Sequence, residues 1–355
     1  MMNNILRTLP LLFLAATTAV TAQGGSLGGG DGYIDDGPQP DDLNGSNFTY
    51  PYPVKVYNFP SQRQSMQMAF MDIPPATSTN TTADAPVAVL LHGKNFCGAT
   101  WNETIIQLTG VGYRVIAPDQ VGWCKSTKPV GYQFTFQQLA LNTNSLLKQL
   151  GIYNAIVIGH STGGMLATRY ALMYPSNTTA LAMVNPLGLE DWKTKGVPYQ
   201  SVDRSWATEN ATTYASIKTY ENTTYYVGRW QPQYDVWVGM LYNVYTGSRR
   251  YEFTFNQAQT TDMIYTQPVI YEFGQLGQRT RTLLVIGDQD NTAIGKAWSP
   301  PSVQAVIGKY SVLGPAAAAM IPNSTLVQFP DLGHAPQIEE PAEFHRELLG
   351  WLLDS

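Results

Sequence analysis

Cysteine, charge and long apolar runs are all scarce in this chain, and each shortage excludes something. Two cysteines, Cys97 and Cys124, occur in 355 residues, too few for a disulfide scaffold or a cysteine metal site. In an oxidising compartment the two can pair, since both fall in loops at one sheet edge; buried free thiols are the alternative. Charged residues make up 13% of the chain, the net charge is −5, and Lys and Arg form no cluster. A nucleic-acid partner needs a basic surface to meet phosphates, so none is expected. Beyond the first residues no apolar run is long enough to span a bilayer. No cofactor-binding motif is present.

What is there begins with "MMNNILRTLPLLFLAATTAVTAQ". One Arg, an apolar run from Leu9 to Val20 and then Val20-Thr21-Ala22 fit a signal peptide over residues 1–22. The run is short for a bilayer, so a stable membrane anchor is not expected. Eight Asn-X-Ser/Thr sequons follow, at Asn44, Asn47, Asn80, Asn102, Asn177, Asn210, Asn222 and Asn323. Together these features read as a secreted, extracellular glycoprotein of the eukaryotic secretory pathway.

Residues 23–46, rich in Gly, Asp and Pro, read as a flexible leader. "PVKVYNF" and "QSMQMAFMDI" then look like a strand hairpin. From "VAVLLHG" onward short, continuously apolar strands alternate with amphipathic helices, the mark of a parallel sheet covered on both faces. The expected class is α/β: a mostly parallel twisted sheet over residues 47–187 and 282–355, interrupted by a helical insertion over residues 188–281. Tyr and Trp crowd that insertion, as in "YDVWVGMLYNVY".

"AIVIGHSTGGMLATRY" places Gly159-His160-Ser161-Thr162-Gly163 after a strand and before a helix. That is where G-x-S-x-G forces a serine into strained geometry above the sheet edge, so Ser161 is the candidate nucleophile. A serine hydroxyl needs a base, and the chain has four histidines. His160 is locked in the turn, His92 precedes the glycine of "LLHGKNFCG", and His345 lies in the helix "EFHRELLGWLL". That leaves His334, in the loop "FPDLGHAPQIEEP". The imidazole needs a carboxylate partner; Asp290 in "LLVIGDQDNTA" is favoured, with Asp288 the fallback and Asp191 remoter. Charge building on a carbonyl oxygen would be met by the N–H groups of Thr162 and Lys94, with Asn95 a neighbouring alternative.

"LLHGKNFCGATW", "VIAPDQVGWCKSTKP", "VIGHSTGG", "LLVIGDQD" and "DLGHAPQIEEPAEF", in this order, resemble the α/β-hydrolase superfamily. The likeness is to its esterase, lipase, C–C-bond hydrolase and haloperoxidase-like branch, with a cap domain before the acid. Epoxide hydrolases and haloalkane dehalogenases of this fold place Asp where Ser161 stands, which disfavours those activities. The resemblance implies a serine hydrolase acting on an ester or related acyl bond. Aminopeptidase-like, C–C-bond hydrolase and lyase or cyclase readings share the same triad, and a non-catalytic binding protein is the alternative of another class. The aromatic insertion, without a charge cluster, points to an uncharged, mainly apolar or aromatic small-molecule substrate.

Overall fold

The computed structural model describes residues 32–76, 85–277 and 280–354. The expected signal peptide and the sequon at Asn80 lie outside them. Among the described residues nine strands form one sheet: β1 (Tyr33–Asp35), β2 (Val54–Ser61), β3 (Gln64–Ile73), β4 (Val87–Leu91), β5 (Arg114–Pro118), β6 (Ala155–His160), β7 (Thr178–Val184), β8 (Arg281–Gly287) and β9 (Ser324–Phe329). Their order is β1-β2-β3-β5-β4-β6-β7-β8-β9. The pairs among β1, β2, β3 and β5 are antiparallel, and all others are parallel.

Parallel strands need crossovers, and helices supply them. These are α1 (Asn102–Gly110), α2 (Phe136–Gln149) and α3 (Thr162–Met173). Side chains of a strand alternate between faces, which is why two cores form. In β6, Ala155 and Val157 face the core built with Leu139, Leu146 and Leu166 of α2 and α3. Ile156 and Ile158 face the other, with Ile105 and Leu108 of α1.

Between β7 and β8 the chain leaves the sheet for α4 (Val202–Asn210), α5 (Tyr214–Tyr220), α6 (Asp235–Thr246) and α7 (Arg250–Thr266). Most of its aromatic rings pack the insertion itself. Tyr226 and Tyr234 stack at 3.9 Å with Trp230 edge-on to both, while Trp206 meets Phe255 and Tyr214 meets Tyr242. After β8 come α8 (Pro301–Gln304) and α9 (Tyr310–Met320); after β9 come α10 (Pro336–Glu339) and α11 (Pro341–Leu353). Phe344 and Leu348 of α11 complete the second core.

One expectation needs correction. The stretch read as a flexible leader is docked from Gly32 onward. Its β1 pairs with β2, and two lysines from the loop after β5 hold its carbonyls. Lys125 Nζ donates to Asp41 O (2.8 Å) and Ser46 O (2.6 Å). Lys128 Nζ donates to Asn44 O at 2.7 Å and also to Cys124 O. Burial pushes the Lys128 ammonium down to about 7. Asn44 itself spends its amide nitrogen on Lys125 O (2.9 Å) and Gln67 Oε1 (3.3 Å). A glycan there replaces one of the nitrogen's two hydrogens and so removes one of these bonds.

Cys97 and Cys124 are joined in a disulfide. It ties the loop after β4 to the loop after β5, and so settles the choice between paired and free thiols.

Candidate active site

At β4 the strand order reverses, with β5 on one side and β6 on the other. Loops leaving the carboxyl ends there diverge and open a crevice. The loops after β4, β6, β8 and β9 carry Lys94, Ser161, Asp290 and His334 respectively.

Ser161 sits between β6 and α3 with φ 57° and ψ −123°, a conformation that a residue with a Cβ adopts only when its surroundings enforce it. The enforcement is local. Ser161 N–H donates to Val184 O at 3.0 Å, and its carbonyl accepts from Gly164 N–H (2.9 Å) and Leu187 N–H (3.0 Å). Close approach explains the flanking glycines. A Cβ on Gly159 would lie 2.1 Å from Gly163 O, and one on Gly163 would lie 2.1 Å from Leu91 O.

Asp290 and His334 meet, with 2.6 Å between Asp290 Oδ2 and His334 Nδ1. Both side chains are fully buried. Asn185 Nδ2 also donates to Asp290 Oδ2 (3.0 Å), and Thr292 N–H donates to Oδ1 (2.8 Å). An acceptor at Nδ1 keeps the proton there and leaves Nε2 with a free lone pair. That Nε2 is buried and makes no hydrogen bond among the described residues. The other two carboxylates weighed from the sequence are occupied elsewhere. Asp288 Oδ1 accepts from Gln328 Nε2 at 2.8 Å, and Asp191 Oδ2 accepts from the Tyr271 hydroxyl at 2.8 Å.

The remaining histidines are scaffold. His92 Nε2 accepts from Gln120 N–H (3.0 Å), so its Nδ1–H donates to Gly93 O (2.8 Å), shaping the loop that bears Lys94. Burial holds its imidazole below the ordinary value. His160 Nε2–H donates to the His334 carbonyl at 2.8 Å; burial holds it neutral, far below the usual range. His345 bridges Pro341 O (2.6 Å) and Thr104 Oγ1 (2.9 Å).

The N–H groups of Lys94 and Thr162 have no acceptor among the described residues. Lys94 Nζ pairs with Glu209 at 2.7 Å, and the Tyr245 hydroxyl donates to the same carboxylate. Asn95 turns its amide to the Tyr225 hydroxyl at 2.8 Å. A cavity of about 500 Å³ opens onto Ser161, walled by Lys94 and Asn95 from the core and by Glu209, Tyr220, Tyr225 and Tyr245 from the insertion. Tyr225 does more than line it. Its ring stacks on the His334 imidazole, with centroids 4.6 Å apart, and its carbonyl accepts His334 N–H at 2.8 Å. The sequence offered Tyr225 only as one of the insertion's many aromatics, some of them expected to line the pocket, and gave no sign of Asn185, because neither sits in a motif that marks a site.

A family model described as alpha/beta hydrolase fold matches residues 86–341. Among curated relatives, the AB hydrolase superfamily protein YfhM of Bacillus subtilis is 39% identical over 103 residues, 29% of this chain and 36% of that protein. Bifunctional epoxide hydrolase 2 of Sus scrofa is 33% identical over 101 residues, 28% of this chain and 18% of that one. The chain thus matches well under two thirds of these relatives' own length. A solved structure from Pseudomonas aeruginosa PAO1, titled a "probable hydrolytic enzyme", is 51% identical with a TM-score of 0.82, covering 86% of this chain and 96% of that one. An esterase from Exiguobacterium antarcticum, 17% identical with a TM-score of 0.63 over 81% of this chain and 96% of that one, shares the fold. The sheet order, the crevice at its reversal and the matched family model agree: this chain belongs to the α/β-hydrolase fold family.

Proposed function

We propose that the protein is a secreted serine hydrolase that cleaves an ester or related acyl bond of a small, mainly apolar or aromatic molecule. The observation that carries this reading is the buried Asp290–His334 pair, whose Nε2 lone pair is unspent, in the same crevice as a serine on a strained turn. Ser161 Oγ attacks the acyl carbon while His334 Nε2 takes its proton. Asp290 keeps the imidazole in that tautomer and offsets the imidazolium charge. The oxyanion is met by the Thr162 and Lys94 N–H groups. As the intermediate collapses, His334 protonates the leaving group; water, activated the same way, then releases the acyl group. The cavity supports a small substrate, because it holds about 500 Å³, is walled by Tyr220, Tyr225 and Tyr245, and of its two lysines Lys94 is paired with Glu209 while Lys296 donates to Asn291 O at 2.9 Å. The disulfide supports the secretory reading, since such bonds persist in oxidising compartments, as do the exposed sequons at Asn47 and Asn323.

Labelling by a fluorophosphonate probe, followed by turnover of an aryl or short-chain ester panel, tests the reading. Ser161→Ala is expected to lose labelling and on the order of 10⁶ in kcat while staying folded, with His334→Ala comparably impaired. Near wild-type turnover by either variant overturns it. Faster turnover of a long-chain triglyceride emulsion, with a rate jump at the interface, replaces the small-molecule reading with a lipase.

A further inference from the structure

Loops are ordinarily the mobile part of a fold, yet the three residues around His334 have almost no backbone freedom left. His334 N–H is bonded to Tyr225 O and its carbonyl to His160 Nε2. The two flanking N–H groups both end on one carboxylate. Glu339 Oε1 accepts from Gly333 N–H (3.0 Å) and Ala335 N–H (3.1 Å), and Oε2 accepts a second contact from Gly333 N–H at 3.0 Å. Glu339 lies at the end of α10, one turn beyond the loop it grips.

We infer that Glu339 is a positioning residue for His334: its ionised carboxylate clamps the loop from both sides, and protonating it slackens the clamp and displaces the base from Ser161. This rests on the triad reading above. A carboxylate accepts backbone N–H bonds far better than the neutral acid does, so grip follows charge. The groups facing Glu339 leave that charge weakly supported. Arg229 favours the ionised form, while Asp290 opposes it, and the Tyr226 and Tyr234 rings close the apolar side. Burial is the largest influence and pushes the carboxyl up to about 7. The clamp therefore tightens as pH rises through neutrality and the carboxyl ionises. Protonating Glu339 then weakens the same activity that a proton on His334 Nε2 blocks.

The pH profile of turnover on an ester substrate tests this. The wild-type acid limb is expected to fall more steeply than the first power of proton concentration, because both His334 and Glu339 must be deprotonated. Glu339→Gln keeps the shape but has one acceptor oxygen and no charge. It is expected to lose roughly 10- to 100-fold in kcat, the scale of a misplaced catalytic group, with KM little changed and an acid limb of first power. The kcat-against-KM split and the change of limb separate this from a structural role, and thermal unfolding reads the carboxyl's own titration. A carboxyl raised from 4.5 to about 7 adds stability at low pH that is lost as pH climbs through that window. The melting temperature of Glu339→Gln, relative to wild type, should accordingly rise between those two values. A Glu339→Gln enzyme with wild-type kcat and profile overturns the proposal. If that variant does not fold, a first-power acid limb in the wild type overturns it alone. Failure of the triad reading is read separately, as a fully active His334→Ala.

Discussion

The Asp290 carboxylate has three hydrogen-bond donors, and each removes a way for it to turn. His334 Nδ1 and Asn185 Nδ2 share Oδ2, while Thr292 N–H holds Oδ1. Asn185 is doubly tied, because its Oδ1 accepts from Gly287 N–H at 2.9 Å, and its φ of 37° is left-handed. Asn185→Gly tolerates that backbone and deletes only the amide, leaving a buried N–H unpaired at a cost of about 1–3 kcal/mol. We expect kcat to fall roughly 10- to 100-fold with KM little changed. Steady-state kinetics beside a denaturant titration check this; loss of stability without loss of kcat would show that Asn185 only supports the fold.

At the scale of elements, the β6–turn–α3 unit is set by backbone proximity more than by side-chain packing. Gly163 brings the first turn of α3 against the end of β4, where Leu91 O lies 2.1 Å from the position of an added Cβ. The opposing atom belongs to a central strand and cannot swing aside. Gly163→Ala is therefore expected to destabilise the protein by about 3 kcal/mol or more and to disturb Ser161 and the Thr162 N–H together. Soluble yield, melting temperature and fluorophosphonate labelling report the two effects. Wild-type values of all three would mean that α3 shifts freely, against the packing described.

For the whole molecule, the strap ahead of β2 and the loop after β5 depend on one another. Lys125 and Lys128 reach strap carbonyls from a loop that the Cys97–Cys124 disulfide ties to the Lys94 loop. The bridge closes a loop with a sequence separation of 27, so its removal should cost about 3–4 kcal/mol through the entropy of the unfolded chain. Cys97→Ser/Cys124→Ser should melt several degrees below wild type, and reductant should lower the wild type to match. Equal melting with and without reductant would show that the bridge adds no stability.

Much of this was legible in the chain because it is local. Parallel strands buried on both faces are continuously apolar, so β4, β6, β7 and β8 stand out. The glycines around Ser161 mark the turn, and four histidines are few enough for their settings to single out His334. What the tertiary structure alone decided is long-range and made largely of backbone groups. Asn185 reaches Asp290 across 105 residues, and Tyr225 grips His334 through its own carbonyl. Glu339 binds two amide N–H groups, and the strap docks through carbonyls onto Lys125 and Lys128. Every residue carries a carbonyl, and every residue but proline an N–H. Their pairing therefore leaves no signature in residue type, and only folding selects which of them meet.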